Sequence, residues 1–292
     1  MTVTRRLSTA GRIALAGLLL ASATGCSRLI AFNTFIPKDP SAKRVLRDVP
    51  FAPGPRGMLD VYVPAGRTKA VPVPVVVFFY GGSWKAGSRA GYGFVGRALA
   101  ARGFATVIPD YRLMPEVRFP AFLEDNAAAV RWVRANARRF GGDPDRIVLV
   151  GHSAGAYDAA MLALDPQWLG ADRKAVRGFA GLAGPYDFLP FDDPVAVQAF
   201  GSWARPEQTQ PVHYTSSDDP PALIAWGERD ERVRPANSIA LAAGLRAANV
   251  EVEERRYPGV GHVGILTAIA RPLRGRASVL DDVAAFAGRV SR

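Results

Sequence analysis

Ile147-Val148-Leu149-Val150-Gly151-His152-Ser153-Ala154-Gly155 is the stretch on which the fold turns. Four aliphatic residues of strand character run straight into Gly-x-Ser-x-Gly, and Ala154–Leu164 then reads as a helix. At such a strand-to-helix junction the turn is strained and sharp. The positions flanking the serine need almost no side chain, and the hydroxyl of Ser153 is pushed out above the sheet.

Outward from that turn, apolar strand-like runs alternate with helical patterns from about residue 45 onward, the signature of a mostly parallel sheet with helices on both faces. Val45–Phe51 and Met58–Val63, separated by Pro53-Gly54-Pro55, read as an opening antiparallel hairpin. Val73–Tyr80 is nearly continuously apolar, as expected of a strand buried on both faces. A helix over 89–102 and a strand over 104–108 follow. Pro120–Phe140 carries a helical stripe of Phe122, Ala129, Val130, Val133, Ala137 and Phe140, and Gly141-Gly142 stops it. The remaining alternation is strand Arg146–Val150, helix Ala154–Leu164, strands Val176–Leu182 and Ala222–Trp226, helix Pro235–Ala248, strand Glu251–Tyr257 and a last helix ending near Arg289. The expectation is therefore one α/β domain over 45–292 with a central sheet of about eight strands. Residues 184–216 fit no simple strand and helix pair and read as a small insertion over the carboxyl edge of the sheet. Its Phe188, Phe191, Phe200 and Trp203 either line a pocket or pack the insertion down.

A serine hydroxyl is a weak nucleophile at neutral pH until a base takes its proton, and that base needs a third group to orient it. Serines presented in this way take their partners in the order serine, acid, histidine, each on a loop after a strand. Asp230 follows the strand Ala222–Trp226, and His262 lies just past Glu251–Tyr257. Rival residues fit less well. His152 occupies the turn itself, where its ring is too local to act as base, and His213 precedes the acid. Asp187, Asp218, Asp219, Glu228 and Glu231 compete with Asp230 for the carboxylate role. A tetrahedral intermediate also needs N–H donors already aimed at its oxyanion. Tyr80-Gly81-Gly82-Ser83-Trp84 ends a buried strand with two glycines that allow close backbone approach, so the N–H groups of Gly82 and Ser83, with that of Ala154, are the candidate donors.

With these parts in order, the sequence resembles α/β-hydrolase serine carboxylesterases, near the hormone-sensitive-lipase, kynurenine-formamidase-like and isoprenylcysteine-methylesterase-like groups. Residues 80–84, Pro109-Asp110-Tyr111-Arg112-Leu113, Gly141-Gly142-Asp143-Pro144-Asp145 and the turn at 151–155 carry the resemblance, which spans roughly 45–290. It implies hydrolysis of short-chain acyl esters through an acyl-enzyme, with Ser153 as nucleophile, His262 as base and Asp230 as its orienting acid. It implies a small-molecule ester substrate and neither metal nor organic cofactor. Amide or formamide hydrolysis by the same triad, and a non-catalytic binding protein on the same fold, are the alternatives. Many relatives carry His-Gly-Gly where this chain has Tyr80-Gly81-Gly82, so the support of that loop differs. Asp110, Tyr111 and Arg112 read as structural support behind it.

The chain has 292 residues, 49% of them hydrophobic and 22% charged, which excludes disorder as its main state. Its one cysteine, Cys26, excludes an internal disulfide and a cysteine-based zinc site, and three histidines leave little for a metal centre. The net charge of +11 rests on arginine, since only 5 of the 37 basic residues are lysine, and no nucleic-acid module is evident. Residues 1–25 combine Arg5, Arg6 and Arg12 with an apolar run at 13–21 and small residues after it, a secretory signal peptide. The run is too short for the roughly 20 residues of a membrane span. With Gly25 before Cys26, the segment resembles a bacterial lipoprotein signal, which implies acylation of Cys26, a contact with membrane lipid, and a place in the bacterial cell envelope. Residues 26–44 show no clear period and read as a tether.

Overall fold

The computed structural model describes residues 25–66 and 71–292. Eight strands form one sheet: β1 (Ala42–Pro50), β2 (Met58–Pro64), β3 (Val73–Phe79), β4 (Ala105–Pro109), β5 (Gly142–His152), β6 (Val176–Leu182), β7 (Ala222–Gly227) and β8 (Val252–Tyr257). Their spatial order is β1-β2-β4-β3-β5-β6-β7-β8. β1 pairs antiparallel with β2, and β2 antiparallel with β4; every other pairing is parallel. The mostly parallel eight-stranded sheet expected from the alternation is present, with helices on both faces.

The central strands explain the order. β3 reads Val73-Pro74-Val75-Val76-Val77-Phe78-Phe79 and is almost wholly buried, because helices cover both of its faces. Val76 and Phe78 face one core, with Leu99, Phe122 and Ile265; Val75, Val77 and Phe79 face the other, with Val130, Leu162 and Leu241. Alternate side chains of one strand thus feed two cores. The expected helix over 89–102 is a short 3-10 turn, Arg89–Gly91, followed by a helix Gly93–Ala100. The helix Ala121–Asn136 ends in a 3-10 turn closed by Gly141 at φ 83°. β5 starts four residues before the expected Arg146, because Gly142 already pairs with Val73.

Residues 26–44 are not a tether. Gly25–Phe35 forms a helix, and Ala42–Arg44 belong to β1. Phe32 packs edge-on against Phe94 with ring centroids 5.3 Å apart. Asn33 donates from Nδ2 to the Ala90 carbonyl and accepts the Phe94 N–H on Oδ1. Asp39 accepts two guanidinium bonds from Arg274, at 2.8 and 2.7 Å. Leu29, Phe32 and Ile36 are spaced i, i+3, i+7, a helical stripe diluted by the exposed Ile30 and Phe35. Residues 1–24 of the expected leader over 1–25, and the side chain of Cys26, lie outside the described residues.

Candidate active site

The loops at the carboxyl ends of β3, β5, β7 and β8 supply the site. Ser153 stands between β5 and the helix Ala154–Leu164 with φ 56° and ψ −124°, a backbone that side chains other than glycine rarely adopt. The glycines around it permit the turn. A Cβ on Gly151 would sit 2.0 Å from the Gly155 carbonyl oxygen, and one on Gly155 would sit 2.1 Å from that of Phe79. The Ser153 N–H donates to Leu182 O at 2.9 Å, tying the turn to β6.

Three separated side chains meet above that turn. Ser153 Oγ donates to His262 Nε2 across 2.9 Å, and His262 Nδ1 donates to Asp230 Oδ2 across 2.8 Å. Asp230 is buried, and its other oxygen accepts the N–H groups of Arg232 and Val233 at 3.0 and 2.9 Å. Burial pushes this carboxyl up, but the bonds from His262 and the two backbone donors outweigh it and hold Asp230 below the usual carboxylate range. The imidazole is thus fixed in one tautomer, with a bare Nε2 facing a hydroxyl. Such a relay can accept a proton as the oxygen attacks an electrophile and return it to a leaving group.

His152 orients the segment that carries His262. Its Nε2–H donates to the His262 carbonyl oxygen at 2.9 Å, and the two rings lie 4.9 Å apart. Burial, and then the neighbouring His262, push the His152 ring down to about 3, so it stays neutral. His213 sits on the turn Pro211–Tyr214 and makes no hydrogen bond to Ser153. Asp219 pairs with Arg173 and accepts the Ser216 N–H. Asp187 and Glu231 line the cleft mouth, and Glu228 is an exposed loop residue.

The loop after β3 faces Ser153 from the other side. Gly82, Ser83 and Trp84 have φ of 143°, 54° and 53°. Among the described residues, no backbone hydrogen bond uses the N–H groups of Gly82, Ser83 or Ala154. Tyr80, which stands where many relatives have histidine, is sandwiched between Tyr92 and Tyr111 at 5.1 and 4.7 Å. Its hydroxyl donates to Asp110 at 2.9 Å, and Asp110 also accepts the Arg89 N–H and guanidinium. Tyr111 donates to the Tyr80 carbonyl at 2.7 Å. Arg112 turns away and grips Asp125.

A cleft of about 440 Å³ opens above Ser153, lined by Ser83, Trp84, Ala154, Phe188, Leu189 and Val195 among others. Phe188 thus lines the cleft, while Phe200 is fully buried beneath it and Trp203 packs on Phe119 at 4.9 Å. Among the described residues, no group of three or more His, Cys, Asp or Glu could hold a metal ion. Sequence reasoning missed Asp158, whose fully buried carboxyl accepts the Trp84 indole N–H. Its signal was a lone acid inside the otherwise uncharged helix Ala154–Leu164.

Comparison with known proteins places this chain among relatives. A family model described as BD-FAE matches residues 59–194. Carboxylesterase NlhH of Mycobacterium tuberculosis is 32% identical over 228 residues, covering 70% of this chain and 71% of that protein. Esterase LipC of the same organism is 33% identical over 244 residues, 74% of this chain and 59% of its own. The chain therefore spans about three fifths of the length of LipC. Among solved structures, an inhibited esterase B from Lactobacillus rhamnosis superposes with a TM-score of 0.80 at 20% identity, covering 96% of both chains.

Proposed function

The chain belongs to the α/β-hydrolase carboxylesterase family, and from that premise we propose that it is a serine ester hydrolase acting on short-chain acyl esters. The observation that carries this reading is the unbroken relay from Ser153 through His262 to Asp230. Ser153 Oγ attacks the ester carbonyl while His262 Nε2 takes its proton, and Asp230 stabilises the imidazolium that results. The carbonyl oxygen becomes an oxyanion, held by the N–H groups of Gly82, Ser83 and Ala154. His262 then hands its proton to the departing alcohol, leaving Ser153 acylated. A water molecule, deprotonated by the same imidazole, releases the acid. A cleft of about 440 Å³ with Lys85, Asp187, Glu231 and Arg232 at its mouth favours a compact acyl group over a long chain.

Turnover of p-nitrophenyl acetate and butyrate, with fluorophosphonate labelling of the folded protein, tests the reading. Ser153→Ala is expected to lose labelling and at least about a thousandfold in kcat. Wild-type rates in that variant would refute the mechanism.

We also propose that the protein sits in the bacterial envelope, held by an acylated Cys26. The course of the helix Gly25–Phe35 supports this. Leu29 lies beside Gly91, and Asn33 bonds Ala90 and Phe94, next to the loop that follows β3. The first turn of that helix carries Cys26, so an acyl group there would sit on an element that packs against residues 90–94. Globomycin is expected to accumulate an unprocessed precursor, and normal processing in its presence counts against the anchor.

A further inference from the structure

Three consecutive residues of the loop after β3 adopt left-handed backbone: Gly82, Ser83 and Trp84, at φ 143°, 54° and 53°. Glycine tolerates this conformation, but a bulky tryptophan does so only where its surroundings over-determine it. Two kinds of contact surround Trp84. Its ring lies against Phe122, Tyr157 and Phe200, with centroids 5.7, 5.3 and 4.8 Å away. Aromatic packing of this kind confines the ring to a pocket but tolerates sliding. The second contact is directional. Trp84 Nε1–H donates to Asp158 Oδ1 across 3.0 Å, and Asn126 Nδ2–H donates to Asp158 Oδ2 across 3.0 Å.

Asp158 belongs to the helix Ala154–Leu164, whose first residue follows Ser153. A carboxyl in that helix therefore measures the distance from the nucleophile's own element to the loop with the unused N–H groups. We propose that Asp158 is a positioning residue for the ester cleavage inferred above: by holding Trp84, it fixes the Gly82 and Ser83 N–H groups against Ser153. The Trp84 carbonyl accepts the Met114 N–H at 2.7 Å, and the Gly82 carbonyl accepts those of Lys85 and Ala86 at 3.1 and 3.0 Å. Those bonds hold the Gly82–Ser83 and Trp84–Lys85 peptide planes, and the indole pins the segment between them. The carboxyl is fully buried, and that burial raises its proton affinity well above that of an ordinary aspartate. What the site needs there is an acceptor of fixed position, not a charge. The Asn126 carbonyl oxygen, buried without a partner, offers an acceptor for an amide at position 158.

The test compares Trp84→Phe, Asp158→Asn and the double variant Trp84→Phe/Asp158→Leu, scoring kcat, KM and fluorophosphonate labelling rate beside Tm. Trp84→Phe keeps the ring and loses the bond; kcat and labelling rate are expected to fall on the order of tenfold with KM little changed. Asp158→Asn keeps an acceptor for the indole and is expected to stay within about threefold of wild type. The double variant removes both ends of the bond but leaves Asn126 Nδ2 without its acceptor, so Asn126→Leu is added to it; the resulting triple variant covers the case in which the single variant misfolds. Its Tm is expected to recover while kcat stays low. Recovery of kcat together with Tm would reduce the pair to ordinary core structure and overturn the proposal, as would an unchanged kcat in folded Trp84→Phe. A wild-type protein inert toward esters and the probe defeats the esterase reading instead, so the two failures are distinguishable.

Discussion

The turn at Ser153 and the loop at Gly82–Trp84 face each other across the cleft, and both hold non-glycine residues in left-handed backbone. They are held there by different means. The turn is locked by main chain against main chain: Gly151 against the Gly155 carbonyl, Gly155 against the Phe79 carbonyl, and the Ser153 N–H on Leu182. The loop has main-chain restraints too: a Cβ on Gly82 would sit 2.0 Å from the Ala86 carbonyl oxygen, the Gly82 carbonyl accepts the Lys85 and Ala86 N–H groups, and the Trp84 carbonyl accepts that of Met114. Otherwise side chains from elsewhere hold it: Tyr92 on the Gly81 carbonyl at 3.1 Å, Arg56 on that of Gly87 at 3.2 Å, Tyr111 on that of Tyr80, and Asp158 on Trp84. A site can thus place its nucleophile with a short glycine-flanked turn wedged between neighbouring strands, and its oxyanion donors with side chains drawn from about a third of the chain.

The contrast breaks first at Gly155. If the turn is held by backbone packing, no side chain can move aside to admit a methyl group there. Gly155→Ala puts Cβ 2.1 Å from the Phe79 carbonyl oxygen and 2.7 Å from that of Tyr80. Either the helix Ala154–Leu164 or β3 must shift, and the expected loss exceeds about 3 kcal/mol, seen as a collapse of soluble yield or of the denaturant midpoint. A variant with near-normal stability would mean that the turn is softer than its contacts imply.

The same contrast decides what the sequence disclosed. Residues 147–155 spell the turn because every contact that shapes it is made by neighbours or by strands whose apolar runs are plain. The order of Ser153, Asp230 and His262 was legible for the same reason, since each follows a recognisable strand. Asp158 was not, because its partners Trp84 and Asn126 lie 74 and 32 residues away in sequence. Tyr80 in place of histidine was visible as a departure, but its remedy, a stack with Tyr92 and Tyr111 and a bond to Asp110, exists only in three dimensions. The helix Gly25–Phe35 was missed through dilution: Leu29, Phe32 and Ile36 carry the period, and Ile30 and Phe35 obscure it.

His152 belongs to both regions, and the pH dependence of stability sharpens how they are joined. Its Nε2–H holds the His262 carbonyl, while its Nδ1 is buried without a partner; a Cβ on Gly81 would come within 3.1 Å of that nitrogen. His262, Asp230 and Arg232 are the titratable and charged groups around it. In the fold its pKa lies at about 3, against 6.5 for a free imidazole. The unfolded chain therefore binds a proton that the native state refuses between those values. Stability from this group is complete above pH 6.5 and falls as pH drops toward 3, with a slope approaching about 1.4 kcal/mol per pH unit. Denaturant unfolding at pH 4.5, 5.5 and 6.5 measures it. His152→Asn, which keeps a donor for the His262 carbonyl, is expected to flatten that slope. Parallel slopes in the two proteins would show that the ring takes up its proton without disturbing the junction.

The smallest effect is expected at Ser153 itself, and it separates strain from function at a single residue. At φ 56° and ψ −124° the serine Cβ is crowded by its own backbone, a cost on the order of 1 kcal/mol that glycine does not bear. Ser153→Gly removes that cost together with the bond from Oγ to His262, which lies in a partly open cleft where water can replace the lost partner. The variant is expected to gain about 1 kcal/mol or less, a rise of roughly 2 °C in Tm, while losing all labelling by the phosphonate probe. Ser83 and Trp84 provide the control, since their backbone is strained in the same sense but anchored by side chains. A glycine at 84 gives up the indole and its bond to Asp158 and is expected to destabilise. If glycine stabilised both sites alike, strain alone would describe the two regions, and the distinction between a turn held by backbone and a loop held by side chains would fail.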